Sequence, residues 1–179
     1  MKDTDTILDF GCGTGTLTIM TKKEVPQAIT YGVDIDPKIL EIAQNKVKNS
    51  DYEIFLNTYD GITLPYNNEM FDKVLSSLVF HHLTRSQKVK ALEEIYRILK
   101  VGGELHIADF GKASNIFMRG MFLPIQFFDG FANTSDNVKG LLPEIIKEAG
   151  FDEVIEHQQI NVFDGIIRNY FFKFAQALN

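Results

Sequence analysis

Three groups of residues could do chemistry in this sequence: a glycine cluster, carboxylates that close strand-like runs, and a histidine pair. Ile7-Leu8-Asp9-Phe10 runs into Gly11-Cys12-Gly13-Thr14-Gly15, and a helix opens near Thr16. Glycines at alternate positions let a backbone turn sharply and come close to a ligand. The helix N-terminus that follows offers free N–H groups and a partial positive charge, which suit an anionic group. Read alone, the same loop is a tight strand-to-helix turn. Asp34 closes the run Tyr31-Gly32-Val33. A carboxylate there can accept hydrogen bonds from both hydroxyls of a ribose and would repel a 2′-phosphate. Asp36 reads as a helix cap, and Asp60-Gly61 alone reads as a turn. His81 and His82 have the pKa range of a proton-transfer group, although a histidine at a helix entrance also commonly caps or packs. A metal site from His81, His82, His106 and Asp109 has only two ligands adjacent in sequence and no clear third, so no metal is expected.

Two nucleotide-binding loops do not fit. The dinucleotide fingerprint Gly-x-Gly-x-x-Gly needs its third glycine at position 16 or 18, and both are threonine. A phosphate loop would need Gly-Lys-Ser or Gly-Lys-Thr, and neither follows. No catalytic triad is visible.

The elements that must position these residues alternate. Thr6–Phe10, Ala28–Val33, Tyr52–Leu56, Lys73–Ser77 and Glu104–Ala108 read as strands, being short, apolar and bounded by Gly, Asp or Pro. Pro37–Lys48 reads as a helix with Asp36 as N-cap and Pro37 at its first position. Ser86–Leu99 carries apolar residues on one face, and Gly102-Gly103 is expected to stop it. Such alternation implies a parallel sheet with helices on both faces and ligands at the carboxyl ends of the strands. Val138–Ala149 reads as a further helix, and Asp152–Val162 and Ile167–Phe174 as two strands joined at Asp164-Gly165.

With these elements in place, the run from Ile7 to Gly15 resembles the first motif of class I S-adenosylmethionine-dependent methyltransferases. Tyr31-Gly32-Val33-Asp34-Ile35-Asp36, Tyr59-Asp60-Gly61 with Leu64-Pro65-Tyr66, Phe71 to Leu83, and Arg97 to Leu105 resemble that family's later motifs, in order. The closest flavour is the small-molecule branch that includes quinone-biosynthesis enzymes. The resemblance implies a doubly wound, mostly parallel seven-stranded sheet with the last strand antiparallel. It places Gly11, Cys12, Gly13 and Gly15 around the methionine end of the cofactor, with Asp9 on its amino group. Asp34 would take the ribose, Ile35 the adenine face, Asp60 with Gly61 the adenine amino group, and Ser77 would lie at the cofactor near the transferred methyl. S-adenosylmethionine is the expected cofactor and S-adenosylhomocysteine the product. His81 or His82 would be the base if the acceptor must lose a proton. Family members usually carry one or two helices before the first strand. Here a strand begins within six residues of Met1, so the expected fold lacks those helices, either because the chain is cut short or because its cofactor site is unusually open.

Composition bounds the partners. The 179 residues suit one domain, and 18 Lys+Arg against 24 Asp+Glu give a formal charge of −6. That balance disfavours wrapping on nucleic acid. The single cysteine permits no internal disulfide, and with no signal-like or membrane-spanning stretch the expected location is cytoplasmic. An apolar insert at about 112–132, rich in Phe and Met, reads as the wall of a hydrophobic acceptor pocket, as a homodimer interface, or as plain core. The expectation is therefore methyl transfer to a small, hydrophobic or aromatic acceptor. The competing readings are a cofactor-binding protein of the same fold without turnover and a nicotinamide-dependent oxidoreductase.

Overall fold

Alternating apolar runs and helical faces in the first two-thirds of the chain become strands and helices of one sheet. The computed structural model describes residues 1–111, 136–137 and 139–151, and the backbone course of 153–162 and 165–173. The insert at about 112–132 and the expectations placed on it lie outside the described residues. The strands are β1 (Thr6–Phe10), β2 (Ile29–Asp34), β3 (Ile54–Thr58), β4 (Phe71–Ser77), β5 (Leu99–Phe110), β6 (Glu153–Val162) and β7 (Gly165–Lys173). The helices are α1 (Thr16–Glu24), α2 (Pro37–Lys48), α3 (Arg85–Ile98) and α4 (Leu142–Glu148), with a 3₁₀ turn over Phe80–His82.

The sheet order is β3-β2-β1-β4-β5-β7-β6. Strands β1 to β5 pair in parallel, and β7 runs antiparallel to both β5 and β6. Strand order reverses between β1 and β4. An open α/β sheet opens a crevice for ligands at such a reversal, beyond the carboxyl ends of the strands.

Local sequence explains the helix starts. Asp36 caps α2, its Oδ1 accepting the Lys38 N–H at 2.8 Å, with Pro37 at the first helical position. Thr84 and Gln87 form a capping box at the start of α3. Helix α3 then turns Leu92, Ile95 and Ile98, all fully buried, onto Leu105 and Ile107 of β5 and Phe71 and Val74 of β4. Burying each such side chain is worth about 1.5–3 kcal/mol, so this face anchors α3 on β5 and on β4, the strand that leads into the histidine turn.

Two expected boundaries are corrected. Gly102-Gly103 does not stop α3: the helix ends at Ile98, the chain enters β5 at Leu99, and the pair falls inside β5, where its register with β4 shifts between Phe71 and Lys73. The glycines serve a bulge within a long strand. The helix expected over Val138–Ala149 is shorter as a regular element, since Gly140 takes a φ of 75° and α4 starts at Leu142 with a proline in its first turn.

Candidate active site

The glycine loop is held down by β2. The N–H groups of Gly11 and Cys12 both donate to the Val33 carbonyl, at 2.9 and 3.0 Å. Gly11 has a φ of 71°, and a Cβ there would fall 2.4 Å from Val79 Cγ2. Both the left-handed backbone and the close approach of the β4 exit therefore demand glycine. Asp34 reaches back to the same loop. Its Oδ2 accepts the Gly13 N–H at 2.8 Å and its Oδ1 the Asp36 N–H at 3.0 Å. The carboxylate thus shapes the loop, and two oxygens with about four acceptor positions can still meet a ribose.

These residues open onto a cleft of about 410 Å³ at the strand reversal. Gly11, Gly13, Asp34 and Ile35 line it together with Tyr59, Gly61, Leu78, Val79 and His82. The volume suits a small-molecule ligand. Around Gly13 the nearest atom to an added Cβ is Ile39 Cγ2 at 4.0 Å, itself a cleft residue, so the loop leaves a cradle that a side chain would fill. At Gly61 an added Cβ would meet Ile35 Cδ1 at 2.7 Å, which brings these two expected residues together.

Of the residues expected from sequence, Gly11, Gly13, Asp34, Ile35, Gly61 and His82 line the cleft. Asp9, Cys12, Gly15, Asp60, Ser77 and His81 are not among its lining residues. Asp9 lies beneath the loop, 2% exposed, and its Oδ2 accepts the Thr18 hydroxyl at 2.6 Å. Burial pushes its carboxyl up to about 6, Thr18 opposes that shift, and the nearby charge of Asp34 adds to it. Burial, with Asp9 and Asp34 close by, pushes the Cys12 thiol up to about 12, so this cysteine is a packing residue of the loop and no nucleophile. Asp60 is exposed and closes a turn, its Oδ1 accepting the N–H groups of Ile62 and Thr63 at 2.8 Å, and these bonds lower its pKa. The chain turns at Asp60-Gly61, and the second carboxylate oxygen of Asp60 takes no part in these two bonds.

The histidines separate. His81 is buried, with Nδ1 2.8 Å from Asp109 Oδ1, while His82 lines the cleft. Packing is the structure's answer for the first and cleft exposure for the second. Among the described residues no group of three or more His, Cys, Asp or Glu could hold a metal. None of the described helices is long and apolar enough to cross a membrane.

Sequence reasoning missed Tyr59 and Leu78. Tyr59 sits beside Asp60 in sequence, lines the cleft and packs against Phe10 with ring centroids 5.8 Å apart. Burial, then the charges of Asp34 and Asp60, push its phenol up to about 12, so it stays protonated at neutral pH. Leu78 has a φ of 58°, a conformation a branched side chain rarely adopts. No local sequence signal marks it, because the strain is imposed by the bond from its N–H to the Ala108 carbonyl, 2.8 Å away in the neighbouring strand.

Comparisons with known proteins agree with this geometry. Residues 7–103 match the model of a family described as a methyltransferase domain. A demethylmenaquinone methyltransferase of Lactobacillus johnsonii is 32% identical over 175 residues, covering 87% of this chain and 71% of that protein. One from Thermus thermophilus is 36% identical over 104 residues, covering 58% of this chain and 46% of that protein. Among solved structures, a SAM-dependent methyltransferase of Methanosarcina mazei superposes with a TM-score of 0.79 at 15% identity, over 98% of this chain and 94% of that one, and shows the same fold. On the family match, the glycine loop and the cleft at the strand reversal, the chain belongs to the class I S-adenosylmethionine-dependent methyltransferases.

Proposed function

We propose that this chain, read as one methyltransferase domain over 1–179, transfers a methyl group to a small hydrophobic or aromatic acceptor of the demethylated quinol type. The observation that carries the reading is the cleft itself, whose lining brings Gly11, Gly13 and Asp34 together with apolar residues and His82. The two relatives named for demethylmenaquinone support the acceptor class. The acidic balance favours a small molecule over nucleic acid.

S-adenosylmethionine, when bound, supplies a methyl group activated by its sulfonium. The residues present fit it. Asp34 would accept the ribose hydroxyls, and Ile35 with Gly61 would flank the adenine, with Asp60 at its amino group. The glycine loop, with Asp9 beneath, would receive the methionine end, and the β4 exit after Ser77 would face the methyl. The chain's part is orientation: holding nucleophile and methyl in line can lower the barrier by about 7–11 kcal/mol at best. His82 would take the proton that a hydroxyl or ring-carbon acceptor releases.

The test is thermal melting with S-adenosylhomocysteine, followed by turnover with S-adenosylmethionine and demethylmenaquinol. A ligand that binds only the folded state must raise the melting temperature. No shift at millimolar ligand would overturn the reading. Binding without product would leave a cofactor-binding protein of the same fold.

A further inference from the structure

We propose that Asp109 and His81 are positioning residues for methyl transfer: together they fix the turn that presents His82 to the acceptor end of the cleft. The inference rests on the methyltransferase reading above. Asp109 lies near the end of β5 and is fully buried. Three N–H groups converge on its carboxylate. Oδ2 accepts the backbone N–H of His81 at 3.2 Å, and Oδ1 lies 2.8 Å from His81 Nδ1 and 2.6 Å from the Phe110 nitrogen. A carboxylate only accepts, so the proton of His81 sits on Nδ1. The donors come from two separate segments, β5 and the turn after β4. One side chain therefore stitches the end of a strand to the loop that enters the cleft.

His81 cannot itself meet an acceptor, being 4% exposed. Its ring instead forms a wall. It packs against His82 with centroids 3.9 Å apart and planes at 41°, and edge-on against Phe110 at 4.9 Å. His82 is thus placed between this wall and the cleft. The far end of the turn is held as well. Lys88 of α3 is fully buried and donates to the Leu83 carbonyl at 2.6 Å, with Asp136 at 3.8 Å facing its charge. A base is effective only within hydrogen-bond reach of its proton, and a displacement of about 1 Å can cost roughly 100-fold in rate. A third group that orients the acting one is the usual arrangement where a single side chain handles a proton.

Asp109→Asn tests this, because the amide keeps the size and one acceptor but cannot receive all three N–H groups. The purified chain is compared with its variants by calorimetry with S-adenosylhomocysteine, by turnover with demethylmenaquinol, and by ¹⁵N NMR of the histidine rings. The expected result is cofactor affinity within about twofold, kcat at least tenfold lower, loss of the single His81 tautomer and a shifted His82 ring signal. In a His82→Gln background, Asp109→Asn should change kcat by less than about twofold, since it acts through His82. The same loss in both backgrounds, or unchanged ring signals, would overturn the proposal. If the probe acceptor is not turned over, the ring signals alone decide. If Asp109→Asn does not fold, His81→Gln carries the same comparison. A His82→Gln chain with full kcat would sink the proposal together with the base role of His82, whereas failure to bind S-adenosylhomocysteine would sink the methyltransferase reading itself.

Discussion

Two buried carboxylates lie beneath two turns that border the cleft, and their surroundings differ. Asp9 lies under the glycine loop and, among the described residues, is answered by Thr18, chiefly through its hydroxyl at 2.6 Å. Asp109 lies under the histidine turn and receives three N–H groups from two chain segments. Burying a carboxylate is costly unless hydrogen bonds replace its water. Asp109 therefore comes with its bonds already made, whereas burial penalises the charge of Asp9 with one residue to offset it. Asp109 is thus a scaffold, while Asp9 is poised between its charged and neutral forms at about pH 6.

The largest effect is expected at the histidine turn. Lys88→Met removes a buried ammonium that faces Asp136 and holds the Leu83 carbonyl. Breaking a buried ion pair from one side costs about 3–5 kcal/mol. Urea denaturation should show that loss while calorimetry finds cofactor affinity within about twofold of the parent. An unchanged midpoint would mean that the turn is not held from α3.

A stabilising change is expected at Asp9. The folded pKa of Asp9, about 6, lies above its ordinary value of 3.8, so the folded chain binds this proton more tightly than the unfolded one. The penalty is negligible at pH 3 and below, grows as pH rises towards 6, and stays constant above it. Asp9→Asn keeps the Thr18 bond and removes the ionisation, so it should stabilise the chain without cofactor by about 3 kcal/mol at pH 7.5 and by almost nothing at pH 3. Equal stability of the two chains at both pH values would erase the contrast between the carboxylates. Cofactor affinity should fall in the same variant if Asp9 meets the amino group.

The smallest of the three effects belongs to Asp34→Ala. Hydrogen bonds to a charged group are worth about 1.5–3 kcal/mol each, and the cofactor dissociation constant should weaken by that amount. Asp34 is only partly buried and sits at the end of β2, so the fold should survive, as circular dichroism would show. Because it also accepts the Gly13 N–H, Asp34→Asn should recover part of the loss, and an unchanged dissociation constant in Asp34→Ala would reject the ribose role.

Several features were decided by local sequence. Asp36-Pro37 starts α2 where its capping chemistry says, because both signals act within one turn. Short apolar runs bounded by Gly and Asp became parallel strands, since periodicity and turn residues are local properties. The glycine loop and Asp34 were legible for the same reason, as motif residues sit at fixed spacing along the chain. The split between His81 and His82 was not. Adjacent in sequence, they separate only because Asp109, from a strand 28 residues on, captures one ring. The strained Leu78, the buried Lys88 and the bulge at Gly102-Gly103 share that origin. Each depends on a hydrogen bond or a register with a neighbouring segment, and only the folded sheet brings those segments within reach.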